Sequence, residues 1–171
     1  IYKKNPRCPF LFPNGQQVLF MNILTAINKK YLPYFTAMVR SFADNNQGEH
    51  TVWVATKEVT KEDIEEYRKY IPERVRIEPV AFCEEILEGA PTEKRWPKEI
   101  YYRIFAAEYL PDTLDRVLYL DSDIIVKGDI SALYDVDFED NYFVATTNVH
   151  SPFLKWFIRT KNGASKDTVY V

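Results

Sequence analysis

The sequence predicts an α/β fold with a largely parallel sheet covered by helices on both faces, and its patterning carries the argument. Short apolar runs alternate along the chain with longer segments of helical periodicity, the pattern of strand–helix–strand units. The runs 18–24 and 117–120 are apolar almost throughout. A strand with one solvated face would show polar residues at every second position, so these runs suit a sheet buried on both sides. The length, 171 residues, is that of one domain and allows about 70% of the unfolded surface to be buried.

Each element can be justified in turn. Residues 1–17 are rich in Pro, Lys and Asn and close on the turn signal Pro13-Asn14-Gly15, so they read as an N-terminal extension to a domain over 18–171. A first strand is expected within 18–27. A helix follows near Pro33, because Phe35, Met38, Val39 and Phe42 recur at i, i+3, i+4 and i+7. It ends at Asn45-Asn46-Gln47-Gly48, and 51–55 form the next strand. Thr60 with Asp63 three residues on predicts a capping box for a helix whose buried stripe is Ile64, Tyr67 and Ile71, stopped by Pro72. Val75–Val80 alternates as a strand. Ile100, Ile104 and Ala107 mark another helix, closed by Pro111. Strands are expected at 117–120 and 142–145, with a further apolar run at 124–126.

Composition narrows the function. The net charge of −3, from 22 basic and 25 acidic residues, argues against nucleic acid as a partner. No apolar run approaches the roughly 20 residues of a membrane span. Cys8 and Cys83 form no CxxC and no disulfide framework, which favours a reducing compartment. With only His50 and His150, any metal site must rely mainly on oxygen ligands.

In parallel α/β sheets, ligands sit at the carboxyl ends of strands. Leu120 is followed there by Asp121-Ser122-Asp123. Two carboxylates beside a buried run need positive charge to offset their desolvation, and a hard divalent cation such as Mg²⁺ or Mn²⁺ supplies it. The motif alone is weak, since roughly 0.7 such triplets arise by chance at this Asp content. A second one, Asp135-Val136-Asp137, has no strand leading into it and reads as a solvated surface run.

A linked set of motifs is more specific. Tyr101-Tyr102-Arg103-Ile104-Phe105, Glu108-Tyr109-Leu110-Pro111 and the stretch from Asp115 to Ile130 closely resemble glycosyltransferase family 8. The resemblance reaches back to Met21–Ala26 and Tyr31–Tyr34, and forward to Leu133–Asp137. It implies a GT-A nucleotide-diphospho-sugar transferase fold: a Rossmann-like, mostly parallel sheet flanked by helices. It also implies a metal-dependent, retaining transfer of glucose or galactose from a UDP-sugar to a glycan or lipopolysaccharide-type acceptor. Carried over residue by residue, it makes Asp121 and Asp123 the Mn²⁺ (or Mg²⁺) ligands. Arg103 would reach the donor sugar and these carboxylates, its planar donors suiting that role. Tyr31 would stack on uracil, and Ala26, Asn28, Asp121 and Ser122 would complete the donor site.

The sequence also departs from the family. Asn28 stands where an acidic residue usually meets uracil, Lys30 where Asn is common, and Asn148 where Asp is usual. The family's histidine metal ligand lies further downstream, so the domain reads as C-terminally incomplete, and His150 is a poor substitute. Two alternatives are a non-catalytic nucleotide-sugar binder and a haloacid dehalogenase-type phosphatase, which also places Asp-x-Asp after a strand. Family habit implies a cytoplasmic protein acting on a glycan or glycolipid, with peripheral contact at the inner membrane left open.

Overall fold

The computed structural model describes residues 20–82, 84–88, 99–139 and 144–145. The chain divides into two compact units, Ile1–Asp135 and Val136–Val171. The sheet lies in the first.

Four strands, β1 (Met21–Ala26), β2 (His50–Thr56), β3 (Val75–Ala81) and β4 (Leu118–Tyr119), form a sheet in the order β3-β2-β1-β4. Every pairing is parallel. Met21 lies against His50, His50 against Val75, and Leu24 against Tyr119. The chain moves outward from β1 to β3 and then returns to the opposite side of β1 with β4. The strand order therefore reverses between β1 and β4, and the carboxyl ends on either side of such a switch point are where sheets of this kind bind ligands.

Strand alternation sends neighbouring side chains into two cores. On one face Met21, Ile23, Val52 and Val54 pack with Phe35, Met38, Val39 and Phe42 of α1 (Leu32–Asn45) and Ile64 of α2 (Lys61–Arg68). On the other, Leu24 and Ala55 pack with Phe82, Tyr102 and Leu110. Both faces are covered, as the unbroken apolar runs require. Pro33 sits in the first turn of α1, where a missing N–H costs nothing. The Thr60 capping box of α2 is present in full: the Thr60 side chain accepts from Asp63 N–H, and the Asp63 carboxylate accepts from Thr60 N–H at 2.8 Å.

Several expected elements differ. Helix α2 ends at Arg68, before Pro72, and Ile71 reaches the core from the turn that follows, donating its N–H to the Arg68 carbonyl at 3.0 Å. The helix expected around Ile100, Ile104 and Ala107 is two short pieces, α3 (Glu99–Tyr102) and α4 (Ala106–Tyr109), and Ile104 is 66% exposed. The inward stripe is instead Tyr102, Phe105, Ala106 and Tyr109, itself spaced i, i+3, i+4, i+7. Phe82 selects it, stacking on Tyr102 at 4.1 Å and meeting Tyr109 edge-on at 5.4 Å.

The apolar run 124–126 forms no strand, because α1 takes its backbone groups. Val126 N–H donates to Ser41 Oγ at 3.0 Å, and Asn45 Nδ2 donates to the Val126 carbonyl at 3.0 Å. Asn46 Oδ1 accepts from Ile130 N–H at 2.8 Å, just before α5 (Ser131–Tyr134). Val144 and Ala145 are not in a strand, and the rest of the expected 142–145 strand lies outside the described residues. So do residues 1–17, Asn148 and His150.

His50 opens β2 fully buried. Its Nδ1 accepts from Met21 N–H at 3.3 Å, Nε2 faces the Asn46 carbonyl at 3.3 Å, and the ring meets Phe42 edge-on at 4.8 Å. Those partners require the neutral ring protonated on Nε2. Burial, chiefly, and the charge of Arg74 hold its pKa below the ordinary value, against the hydrogen bonds to the backbone at Asn46 and Gln47. The unfolded chain, titrating near about 6.5, then binds the proton more readily. Stability is therefore complete above that pH and is lost as pH falls through it. Melting temperature should drop between about pH 7.5 and 5.5, and His50→Gln should flatten that slope. An equal slope in both proteins would assign it to other groups.

Candidate donor-binding site

The site follows from the end of β4. Leu120 N–H donates to the Leu24 carbonyl at 2.9 Å, carrying the β1–β4 pairing one residue past the strand. Continuing that register brings Asp121 level with Ala26, so the acid pair stands at the switch point. Asp121 and Asp123 are exposed, while Ser122 between them is buried. As hard oxygen donors the two carboxylates fit a divalent cation. Among the described residues no third His, Cys, Asp or Glu joins them in a group. Further coordination would fall to a bound phosphate, to water or to residues outside the described set.

Arg103 is placed by the aromatic layer beneath it. Tyr102 is buried, its ring stacked on Phe82 and its carbonyl accepting from the Tyr109 hydroxyl at 2.8 Å. This anchors the turn and leaves residue 103 beside the end of β4. Arg103 Nη1 lies 3.9 Å from Asp121 Oδ1, and its Cζ stands 5.5 Å from the centroid of the Tyr119 ring. Both charged groups are largely exposed, so the pair adds little to stability. Its consequence is local, a fixed positive charge against the acid pair. Burial first, then the negative charge of the neighbouring Asp121, push the Tyr119 phenol up to about 12, with Arg103 acting in the opposite direction.

On the other side of the switch point, β1 leads into a 3₁₀ turn, Lys29–Tyr31. Asn28 caps it, accepting from Lys30 N–H through Oδ1 at 3.1 Å. Glu58 accepts from Lys29 N–H at 2.8 Å, and Lys29 Nζ pairs with Asp63 at 2.8 Å, which ties the turn to the start of α2. The turn holds Tyr31 42% exposed, its ring 5.7 Å from that of Tyr34. Ala26, the last residue of β1, has no bulk that would fill the floor between the two sides.

The structure thus brings Ala26, Asn28 and Tyr31 to one side of the β1–β4 switch and Arg103, Asp121 and Asp123 to the other. The Asn28 side-chain oxygen serves the turn, a use that its sequence position does not announce. Tyr119 went unnoticed in the sequence, although its spacing two residues before Asp121 in a strand puts both on one face. Asp135 and Asp137 are exposed, and Asp137 closes a local turn by accepting from Glu139 N–H at 2.9 Å, as a surface run would.

A parallel sheet covered on both faces, with an acid pair and an arginine at its switch point, defines the class: a nucleotide-diphospho-sugar transferase fold of the GT-A type. The galactosyltransferase LgtC, solved in complex with donor and acceptor sugar analogs, shares it, with a TM-score of 0.75 at 23% identity over 88% of this chain and 54% of LgtC. The chain belongs to glycosyltransferase family 8, whose family model, described as "Glycosyl transferase family 8", matches residues 22–168. Lipopolysaccharide 1,3-galactosyltransferase of Salmonella typhimurium is 41% identical over 86 residues, 50% of this chain and 24% of that protein. Lipopolysaccharide 1,2-glucosyltransferase of Escherichia coli is 29% identical over 130 residues, 75% of this chain and 38% of that protein. The matched segments therefore cover well under half the length of these two relatives. Family membership sets aside the haloacid dehalogenase alternative. No helix among the described residues is long and apolar enough to cross a membrane.

Proposed function

We propose that this chain forms the donor-binding part of a retaining hexosyltransferase. It takes glucose or galactose from a UDP-sugar and passes it to a glycan or lipopolysaccharide-type acceptor. The observation that carries the reading is the Arg103–Asp121 contact of 3.9 Å at the β1–β4 switch. Family membership and the lipopolysaccharide hexosyltransferases among its relatives support the reaction class.

Each residue then has a part. Tyr31 offers its exposed ring to uracil, a contact of a kind worth about 1–3 kcal/mol. Ala26 lets the base approach the end of β1, and Asn28 meets the base from the capped turn. Asp121 and Asp123 hold the cation, and Asp121 also lies where the ribose hydroxyls would accept its company, next to Ser122. Arg103 directs its guanidinium at the donor sugar and offsets the negative charge of the acid pair. A bound Mn²⁺ or Mg²⁺ supplies neutralising charge for the departing diphosphate, so the chain need offer no general acid there.

The test is release of UDP. Purified protein given UDP-glucose or UDP-galactose, Mn²⁺ and a truncated lipopolysaccharide core should release UDP, and Asp123→Ala should fall to background. Native protein that releases no UDP from any common donor would leave the reading without its enzyme.

A further inference from the structure

Tyr31 ends the 3₁₀ turn after β1 and is the N-cap of α1, and its backbone is held on both sides. Its own N–H donates to the Asn28 carbonyl at 3.0 Å, and the Leu32 N–H donates to the Lys29 carbonyl. Pro33 follows in the first turn of α1, where its ring fixes one backbone torsion. Glu58 and Asp63 tie the turn to the start of α2. What the backbone leaves open is the side-chain torsion of Tyr31, whose ring is exposed. A stacking surface that turns freely must be ordered when a base arrives, and that loss of freedom opposes binding.

Tyr34 supplies the constraint. It lies three residues on, in the first turn of α1, the spacing at which side chains meet along a helix. The two ring centroids are 5.7 Å apart and the ring planes are tilted by 50°, a separation at which aromatic pairs attract. Tyr34 is 59% exposed and lies outside both cores, so packing of the fold makes no demand for an aromatic there.

We propose that Tyr34 is a positioning residue for uridine recognition, its ring holding that of Tyr31 in one orientation before a nucleotide arrives. The inference rests on the reading of Tyr31 as the uracil-stacking residue given above. The ring of Tyr34 carries the effect, its hydroxyl does not, and the effect passes through Tyr31. An aromatic pair of this kind corresponds to about 2- to 12-fold in affinity.

Calorimetric titration of UDP at saturating Mn²⁺ tests this on the native protein, Tyr34→Ala, Tyr31→Ala and the double variant. Tyr34→Ala should bind UDP about 2- to 12-fold more weakly than the native protein, while its melting temperature without ligands stays close to native. Tyr34→Phe should restore native affinity. Tyr31→Ala should also bind more weakly, and adding Tyr34→Ala to it should cost nothing further. Native affinity in Tyr34→Ala, alongside loss in Tyr31→Ala, overturns the positioning role and leaves the donor-site reading standing. An equal loss from Tyr34→Ala with and without the Tyr31 ring overturns it as well, because Tyr34 then acts independently of Tyr31. So does a loss in Tyr34→Phe that matches the loss in Tyr34→Ala. Native affinity in Tyr31→Ala overturns the reading of Tyr31 itself. Should Tyr34→Ala melt far below the native protein, Tyr34→Leu keeps apolar bulk without a ring. It carries the same expectation and is overturned by the same results.

Discussion

UDP and Mn²⁺ added together should raise the melting temperature, and Asp121→Ala should erase the rise. At a ligand concentration 100 times Kd, binding to the folded state alone adds about 2.7 kcal/mol. For a domain of this size that corresponds to roughly 5–11 °C. The requirement for both ligands is the diagnostic part. On the proposed reading, uracil stacking on Tyr31 would give UDP some affinity without a cation, but the diphosphate would then face Asp121 and Asp123 uncompensated. Asp121→Ala removes an exposed carboxylate just after β4 without opening a cavity, so the protein without UDP and Mn²⁺ should melt near the native temperature. A full rise in Asp121→Ala would place the nucleotide elsewhere.

Phe42→Ala should cost about 3–5 kcal/mol, the range for a large aromatic removed from a packed core. Whole-domain stability is only about 5–15 kcal/mol, so the variant should melt roughly 6–20 °C lower. Phe42 is fully buried in α1, and its ring lies 4.8 Å from that of His50. Its carbonyl accepts from Asn46 through both the backbone N–H, at 3.0 Å, and Nδ2, at 2.9 Å. Asn46 in turn accepts from Ile130 N–H at 2.8 Å, so loosening this end of α1 also frees the segment after the acid pair. Urea unfolding measures the loss. A value under about 1 kcal/mol would mean that the site collapses around the missing ring.

Much of the fold was legible because its signals are local. Phe35, Met38, Val39 and Phe42 recur at helical spacing, and one face of α1 is buried along that stripe. Thr60 and Asp63 lie three residues apart, the separation at which the capping box closes. Elements whose limits depend on distant partners were harder to read. Ile104 and Tyr102 each lie on a helical stripe, and spacing alone cannot rank the two. Phe82, arriving from the end of β3, decides for the aromatic stripe by stacking on Tyr102. Likewise, Ile124-Ile125-Val126 has strand-like composition. Ser41 and Asn45, more than 80 residues earlier in the chain, take the hydrogen bonds that a neighbouring strand would have needed.

The candidate site divides along the same line. The sequence by itself marked the paired carboxylates after an apolar run as able to hold a cation, a matter of side-chain chemistry and short spacing written in one dimension. Arg103 and Tyr31 were legible only through the resemblance to glycosyltransferase family 8. Only the tertiary structure decided that β4 returns to the far side of β1, which sets Asp121 level with Ala26 at the point where the strand order reverses. It also decided that Asn28 spends its oxygen on a turn and that Arg103 meets both the Tyr119 ring and Asp121. Hydrogen bonds and ring contacts of that kind are made between groups that the chain brings together only when the sheet has formed.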